Sequence, residues 1–246
     1  MIKRIGMGKQ MNDVISIAID GPSGAGKSTL ARRCAAAFGF LYADTGAIYR
    51  TVGLAASRAG IDLKDEKAIA ELLPTLQIEM KYDAEGEQRM YLNGEDVSDA
   101  IRMPEISIAA SDVSSLPTVR QFLLEMQRSL ARTQSVLMDG RDIGTVVLPD
   151  ADLKIFLTAS AEERARRRVL QLQEKGVAED YDKVLQEIRY RDEQDMNRET
   201  APLKQAEDAI LLDTTDLSYD ESFAALSQLI LEHFCIRPMT ENTQRA

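Results

Sequence analysis

Short apolar runs alternate along the chain with longer stretches in which apolar residues recur every three or four positions. The first kind reads as buried strands and the second as amphipathic helices, and their alternation predicts a parallel sheet covered by helices on both faces. The predicted strands are VISIAID, FLYAD, SVLMD, DLKIFLT and AILLD. Four of these five end in aspartate and the fifth in threonine, so polar groups line the carboxyl edge of the sheet, where such folds bind ligands. Helices are predicted over GKSTLARRCAAAF, TGAIYRTVGLAAS, PTVRQFLLEMQRSLA, SAEERARRRVLQLQ and YDKVLQEIRYRDEQDM. Between about residues 76 and 101 the rhythm changes. There LQIEMKY, the polar turn DAEGEQ, RMYLNG and EDVSDAIR alternate apolar and polar positions, which predicts a small antiparallel β insertion.

The junction of the first strand and first helix carries Gly21, Pro22, Ser23, Gly24, Ala25, Gly26, Lys27 and Ser28, which fits the phosphate-loop pattern G-x-x-x-x-G-K-S/T. Glycines let successive backbone N–H groups turn inward around phosphate oxygens, and the following helix points its positive end at the same anion. In this pattern Lys27 reaches the β and γ phosphates, the Ser28 hydroxyl ligates Mg²⁺, and Thr29 caps the α-phosphate. A phosphate-loop NTPase fold is therefore expected, with a nucleoside triphosphate as ligand. The loop alone serves switches, motors and kinases alike. A guanine-nucleotide switch needs an N-K-x-D base reader, which the sequence lacks, and its D-x-x-G, Asp83 to Gly86, falls inside the predicted hairpin.

Composition narrows the choice. At 246 residues with 44% hydrophobic content the chain can bury a full core. Residues 14–236 are expected to form one domain, 1–13 a loose extension and 237–246 a polar tail. A formal net charge of −10 argues against a general nucleic-acid surface or an acidic-membrane surface, which need a basic face, so any arginine cluster must be local. Cys34 and Cys235 make no disulfide framework or metal pair by spacing, and His233 is the single histidine, which fits a reducing cytoplasm. No apolar run approaches the roughly 18 residues of a membrane span.

Arginines stand where a second anion would sit. After the second strand, DTGAIYR places Arg50 beyond Asp44 and Thr45 at the sheet edge; after the third, MDGRDIGT supplies Asp139, Arg141 and Asp142. RYRDEQDMNR spaces Arg191, Asp195 and Arg198 on one helical face. Arg164, Arg167 and Arg168 share another. Each has a plainer reading as a solvated ion-pair face, a strand-ending turn or a helix start, but their coincidence with a phosphate loop favours an enzyme with two anionic ligands. Phosphoryl transfer between phosphates needs alignment and neutralisation of the moving charge, which arginine and Mg²⁺ supply. An acceptor phosphate, with its second pKa near 6, is largely a dianion and needs no general base, in keeping with the shortage of histidine. Asp139, ending an apolar strand, is placed to complete through water the Mg²⁺ shell that Ser28 begins. A kinase of another small acceptor, or an NTP-dependent switch, remains an alternative on these residues.

The motifs IDGPSGAGKST, DTGAIYR, DGRDIGTVVLPDADLKIFLTAS, ERARRR, RDEQDMNR and APL, in this order, resemble the bacterial cytidylate kinases, members of the nucleoside monophosphate kinase group. The resemblance runs from about Ile15 to the last strand, and DGRDIGTVV and RDEQDMNR are its most specific pieces. It implies transfer of phosphate from MgATP to CMP or dCMP by a monomer with a five-stranded parallel sheet, a lid over about residues 160–180 and an insertion on the monophosphate side. It also implies that Thr45, Arg50 and Arg141 hold the acceptor phosphate, and that Asp142 is among the CMP-binding residues. Ser111 and Arg120 resemble the cytosine-reading positions, with Arg198 contributing, while Arg191 and Asp195 resemble ribose contacts. Lys27, Asp139, Arg141 and the lid residues Arg164 and Arg168 are the expected catalytic set. Some members of the family carry glycine in place of Ser28 and serine in place of Thr45.

Overall fold

A computed structural model describes residues 14–84, 86–174 and 176–234; the expected extension 1–13 and tail 237–246 lie outside the described residues. Five parallel strands form the main sheet in the order β2-β6-β1-β7-β8, with β1 Ser16–Asp20, β2 Leu41–Asp44, β6 Val136–Gly140, β7 Leu153–Thr158 and β8 Ile210–Asp213. All five coincide with the predicted runs, trimmed at their starts. The central position of β1 and the crossing from β6 to β7 on its two sides create the crevice in which α/β sheets bind ligands.

Alternation along β1 explains the layering. Ile17 and Ile19 pack with α1 (Lys27–Phe38) and α8 (Tyr219–Phe234), while Ala18 faces the opposite layer with Met138 and Ile143. That second layer is continued by α2 (Thr45–Arg58), α4 (Pro104–Ser114) and α5 (Pro117–Thr133), around Ile48, Val52, Val113 and Leu123. Helices α6 (Ala161–Glu174) and α7 (Tyr181–Asn197) pack on each other around a small apolar cluster of their own, Ala165, Val184 and Ile188.

The antiparallel excursion is present as a three-stranded sheet, β3 Ile78–Tyr82, β4 Gln88–Leu92 and β5 Glu95–Asp96. Its inward residues Ile78, Met90 and Leu92 join the apolar cluster under α2. Helices α3 (Glu66–Leu72), α4 and α8 go beyond the predicted set. The first is only seven residues long. In α4, Ile108 is two-thirds exposed, so its apolar residues do not form one clean stripe.

Cys34 is fully buried in α1, where burial pushes its thiol up to about 11 and leaves it a poor nucleophile. No helix among the described residues is long and apolar enough to cross a membrane.

Candidate active site

The phosphate loop leaves β1 at Asp20 and enters α1 at Lys27, as the motif requires. Gly21 adopts φ 151°, and a Cβ there would lie 1.9 Å from the Leu157 carbonyl oxygen, so the loop can pass β7 only with glycine at this position. Lys27 is buried under the loop and donates to the carbonyls of Gly21 and Pro22 at 2.7 and 2.8 Å. Burial, and then the neighbouring Arg141, push its ammonium down to about 7 against the pull of Asp139 and Asp20. Ser28 Oγ donates to Asp139 Oδ2 at 2.8 Å, joining two segments 111 residues apart. Thr29 is exposed on the first turn of α1.

Asp139 is 3% exposed, and it also accepts from the Tyr42 hydroxyl at 3.1 Å. Burial, then Asp44, pushes its carboxyl up to about 6, although Lys27 and the two hydroxyl donors favour the charged form. Asp44 and Asp139 are register partners on β2 and β6, which explains that repulsion. A hard cation suits these groups: oxygen donors on Ser28 and Asp139 already adjoin, and a buried carboxylate with an acidic neighbour gains from a positive charge. No group of three or more His, Cys, Asp or Glu side chains arranged to hold a metal ion occurs among the described residues.

Charged side chains from β2, α2, the β6 loop and α7 pair beside the phosphate loop. Asp44 caps α2, accepting from the Ala47 N–H at 3.0 Å, and also binds Arg50 Nη2 at 2.7 Å. Arg141 Nε donates to Asp195 Oδ2 on α7 at 2.8 Å. Burial works against the charge on Asp195, but Arg141 and Arg198 outweigh it and hold this carboxyl below the usual carboxylate range. Arg191 is pushed below the ordinary arginine range by burial, then by Arg141, with Arg168 and Arg50 adding to the effect. Guanidinium groups from α2 and the β6 loop are thus each held by a carboxylate at the carboxyl edge of the sheet.

Asp142 is buried, at 4% exposure. It pairs with Arg120 from α5 and accepts from Arg198 Nη2 at 3.3 Å, so two arginines from distant segments share one buried carboxylate. Arg120 also lies over the Tyr49 ring, 5.5 Å from its centroid. The backbone that presents Arg141 and Asp142 is tightly constrained. At Gly140 a Cβ would meet Ile143 Cδ1 at 2.6 Å and Thr45 Oγ1 at 2.7 Å. Just beyond, Ile143–Val147 forms a single π-helical turn whose first N–H groups, Ile143 and Gly144, both donate to Asp20 at 2.7 Å.

Several expectations are corrected. Arg198 does not share a helical face with Arg191 and Asp195: α7 ends at Asn197, and Arg198 has the extended backbone φ −62°, ψ 140°. It reaches Asp142 because it leaves the helix. The Thr45 hydroxyl, expected at the acceptor phosphate, donates to the Asp139 carbonyl at 2.9 Å and is buried. Arg164, Arg167 and Arg168 do not act as one face. Arg164 is buried, bonds the Ser23 carbonyl at 3.0 Å and pairs with Asp192 at 2.6 Å; Arg167 caps the Thr214 carbonyl; Arg168 is exposed and donates to Gln171. Ser111 stands half-buried on α4, and its hydroxyl makes no hydrogen bond with Arg120 or Asp142.

Asp20, Tyr42 and Gln88 are parts of the site that sequence reasoning did not single out. The signal for Asp20 was present, since it ends an apolar strand as Asp44 and Asp139 do.

The family model described as Cytidylate kinase matches residues 17–232. Curated proteins named cytidylate kinase are similar at 52% identity in Caldicellulosiruptor bescii (89% of this chain, 95% of the relative) and 50% in Lactobacillus gasseri (90% and 96%). Another, from Pasteurella multocida, is 48% identical over 92% of this chain and 100% of its own length. The chain belongs to the cytidylate kinase family.

Proposed function

We propose that the protein transfers the γ-phosphoryl group of ATP to the phosphate of CMP or dCMP, giving ADP and the cytidine diphosphate. The observation that carries the reading is that Arg50, held by Asp44, and Arg141, held by Asp195, come from separate segments to the sheet edge where Ser28 of the phosphate loop bonds Asp139, the register partner of Asp44. An anion between such guanidinium groups is stabilised by both. Family membership supplies the substrate class.

In this reading the loop backbone, Lys27 and Ser28 hold the β and γ phosphates of ATP, while Arg50 and Arg141 grip the acceptor phosphate in line with them. Ser28 and Asp139 would hold Mg²⁺, which would supply positive charge against the charge that develops on the transferred group. Arg141, which follows Gly140 at the end of β6 and bonds Asp195 on α7, is read as the link between donor and acceptor. The acceptor is its own nucleophile, so no residue has to remove a proton. Arg120, Asp142 and Arg198 offer both donors and an acceptor carboxylate, the complement of cytosine O2, N3 and its amino group. Arg191 and Asp195 lie toward the sugar. Helices α6 and α7 close over the triphosphate as a lid, with Arg164 and Arg168 moving onto it and water excluded. Their separate apolar cluster supports movement as a unit. A cytoplasmic monomer is part of the same reading, supported by the acidic balance of the chain and the sparse cysteine.

The test is a panel of nucleoside monophosphates supplied with MgATP and analysed for diphosphate products. CDP and dCDP are the expected products. Faster turnover of UMP, AMP or a non-nucleotide acceptor, or ATP hydrolysis alone, would refute the assignment.

A further inference from the structure

Strand β2 is the outer strand of the main sheet and pairs only with β6. Its other edge carries the backbone groups of Tyr42 and Asp44, two residues apart and thus facing the same way. No sixth strand meets them. Instead they are met by the side chains of one cross-strand pair of the insertion, Tyr82 and Gln88. The Tyr82 hydroxyl donates to the Tyr42 carbonyl at 2.7 Å. Gln88 Oε1 accepts from the Asp44 N–H at 2.8 Å, and its Nε2 donates to the Asp44 carbonyl at 3.2 Å. A primary amide here reproduces the donor and acceptor pair that a neighbouring strand would offer.

Asp44 is the residue at which this matters. Its Oδ1 caps α2 through Ala47, and its Oδ2 holds Arg50 at 2.7 Å. Arg50 Nε is buried without a partner, so the guanidinium keeps a donor to give. Fixing the Asp44 peptide fixes the direction of its Cβ, hence its carboxylate, and so the position of the Arg50 fork. Both Asp44 and Arg50, with Gln88 and Arg32, line one small cleft between the insertion and the main sheet. A second tie between α2 and the insertion, Arg58 with Glu95 at 2.7 Å, is exposed and sits at the far end of the helix.

We infer that Gln88 is a positioning residue for the phosphoryl acceptor: its amide sets Asp44, and through Asp44 the arginine that binds the acceptor phosphate. The inference rests on the reading of Arg50 as a ligand of that phosphate. It assigns the insertion a defined part in acceptor binding, by way of one side chain that touches no substrate.

The experiment uses the full chain and compares Gln88→Leu and Gln88→Glu with Arg50→Ala and Arg58→Ala. For each, KM and kcat are measured with CMP and with ATP, CMP affinity by calorimetry, and Tm. Gln88→Leu, which removes both hydrogen bonds, is expected to raise the KM and Kd for CMP about ten-fold while leaving the ATP KM within about two-fold. Gln88→Glu keeps the acceptor and loses the donor, so a rise of about three- to five-fold is expected; it carries the test alone if the leucine variant does not fold. Arg58→Ala is expected to leave both KM values within about two-fold of wild type, being an exposed pair. Wild-type CMP constants in the Gln88 variants, alongside a raised CMP KM in Arg50→Ala, would overturn the role of Gln88 alone. Parallel rises for CMP and ATP would also overturn it. Unchanged CMP affinity in Arg50→Ala would instead remove the reading on which the inference stands.

Discussion

In the proposed reading the donor side of the cleft is one continuous stretch, Gly21 to Ser28, that offers mainly backbone, whereas the acceptor side draws side chains, Arg50, Arg120, Arg141, Arg191 and Arg198, from α2, α5, the β6 loop and α7 with its C-terminal end. On the donor side the geometry is set by local constraints such as the Gly21 passage beneath Leu157. On the acceptor side it is set by carboxylates, each holding one or two arginines: half-buried Asp44 for Arg50 and Asp195 for Arg141, and buried Asp142 for Arg120 and Arg198. Phosphate recognition thus survives many changes beyond the loop. Acceptor recognition depends on the fold bringing distant groups together.

The largest effect is expected where the two sides meet. Lys27→Ala should lower kcat by about 10³, since it removes charge stabilisation at the transferred group; steady-state kinetics with saturating ATP and CMP measure it, and wild-type kcat would break the donor assignment. Next is Asp142→Ala, which leaves Arg120 and Arg198 buried beside each other without their shared counter-charge. It should raise the CMP KM about 100-fold and lower stability by about 3 kcal/mol, with the ATP KM little changed. Equal changes in the two KM values would show that the sides are not separable in this way.

A smaller, pH-dependent effect sharpens the link between the sides. Asp20 ends the donor strand, yet accepts from the Ile143 and Gly144 N–H groups beside Arg141 and Asp142. Burial raises its carboxyl from 3.8 to about 6, against the two backbone donors. The folded protein therefore holds a proton that the unfolded chain has already lost, so the stability this group contributes is present below about pH 4 and is lost as pH rises through about 6. Relative to Asp20→Asn, wild type should lose about 2 kcal/mol between pH 4.5 and 7.5 in urea denaturation. A difference independent of pH, or one of opposite sign, would contradict the assignment.

How much of this was legible follows from the same division. The five strands and the phosphate loop are written in contiguous residues, and period and glycine spacing suffice to read them. The antiparallel insertion was readable from its period of two. Helix α4 was not, because Ile108 faces outward and breaks the stripe. Arg50, Arg141 and Asp142 were visible as charges at strand ends, but their partners were not, since nothing local links Arg120 to Asp142 across 22 positions or Arg141 to Asp195 across 54. Helical spacing misled at Arg198, where the chain leaves α7 one residue earlier. Thr45 was read as facing a ligand, whereas the close approach of β2 and β6 directs its hydroxyl to the Asp139 carbonyl. Gln88 had no signal, because its function depends on which strand edge the insertion covers.

The central claim, that remote arginines form a single acceptor site distinct from the phosphate loop, is tested most directly by substrate constants for Arg198→Ala. The KM for CMP should rise about 30-fold or more while that for ATP stays within about two-fold of wild type. Equal rises for both substrates, or an unchanged CMP constant, would contradict it.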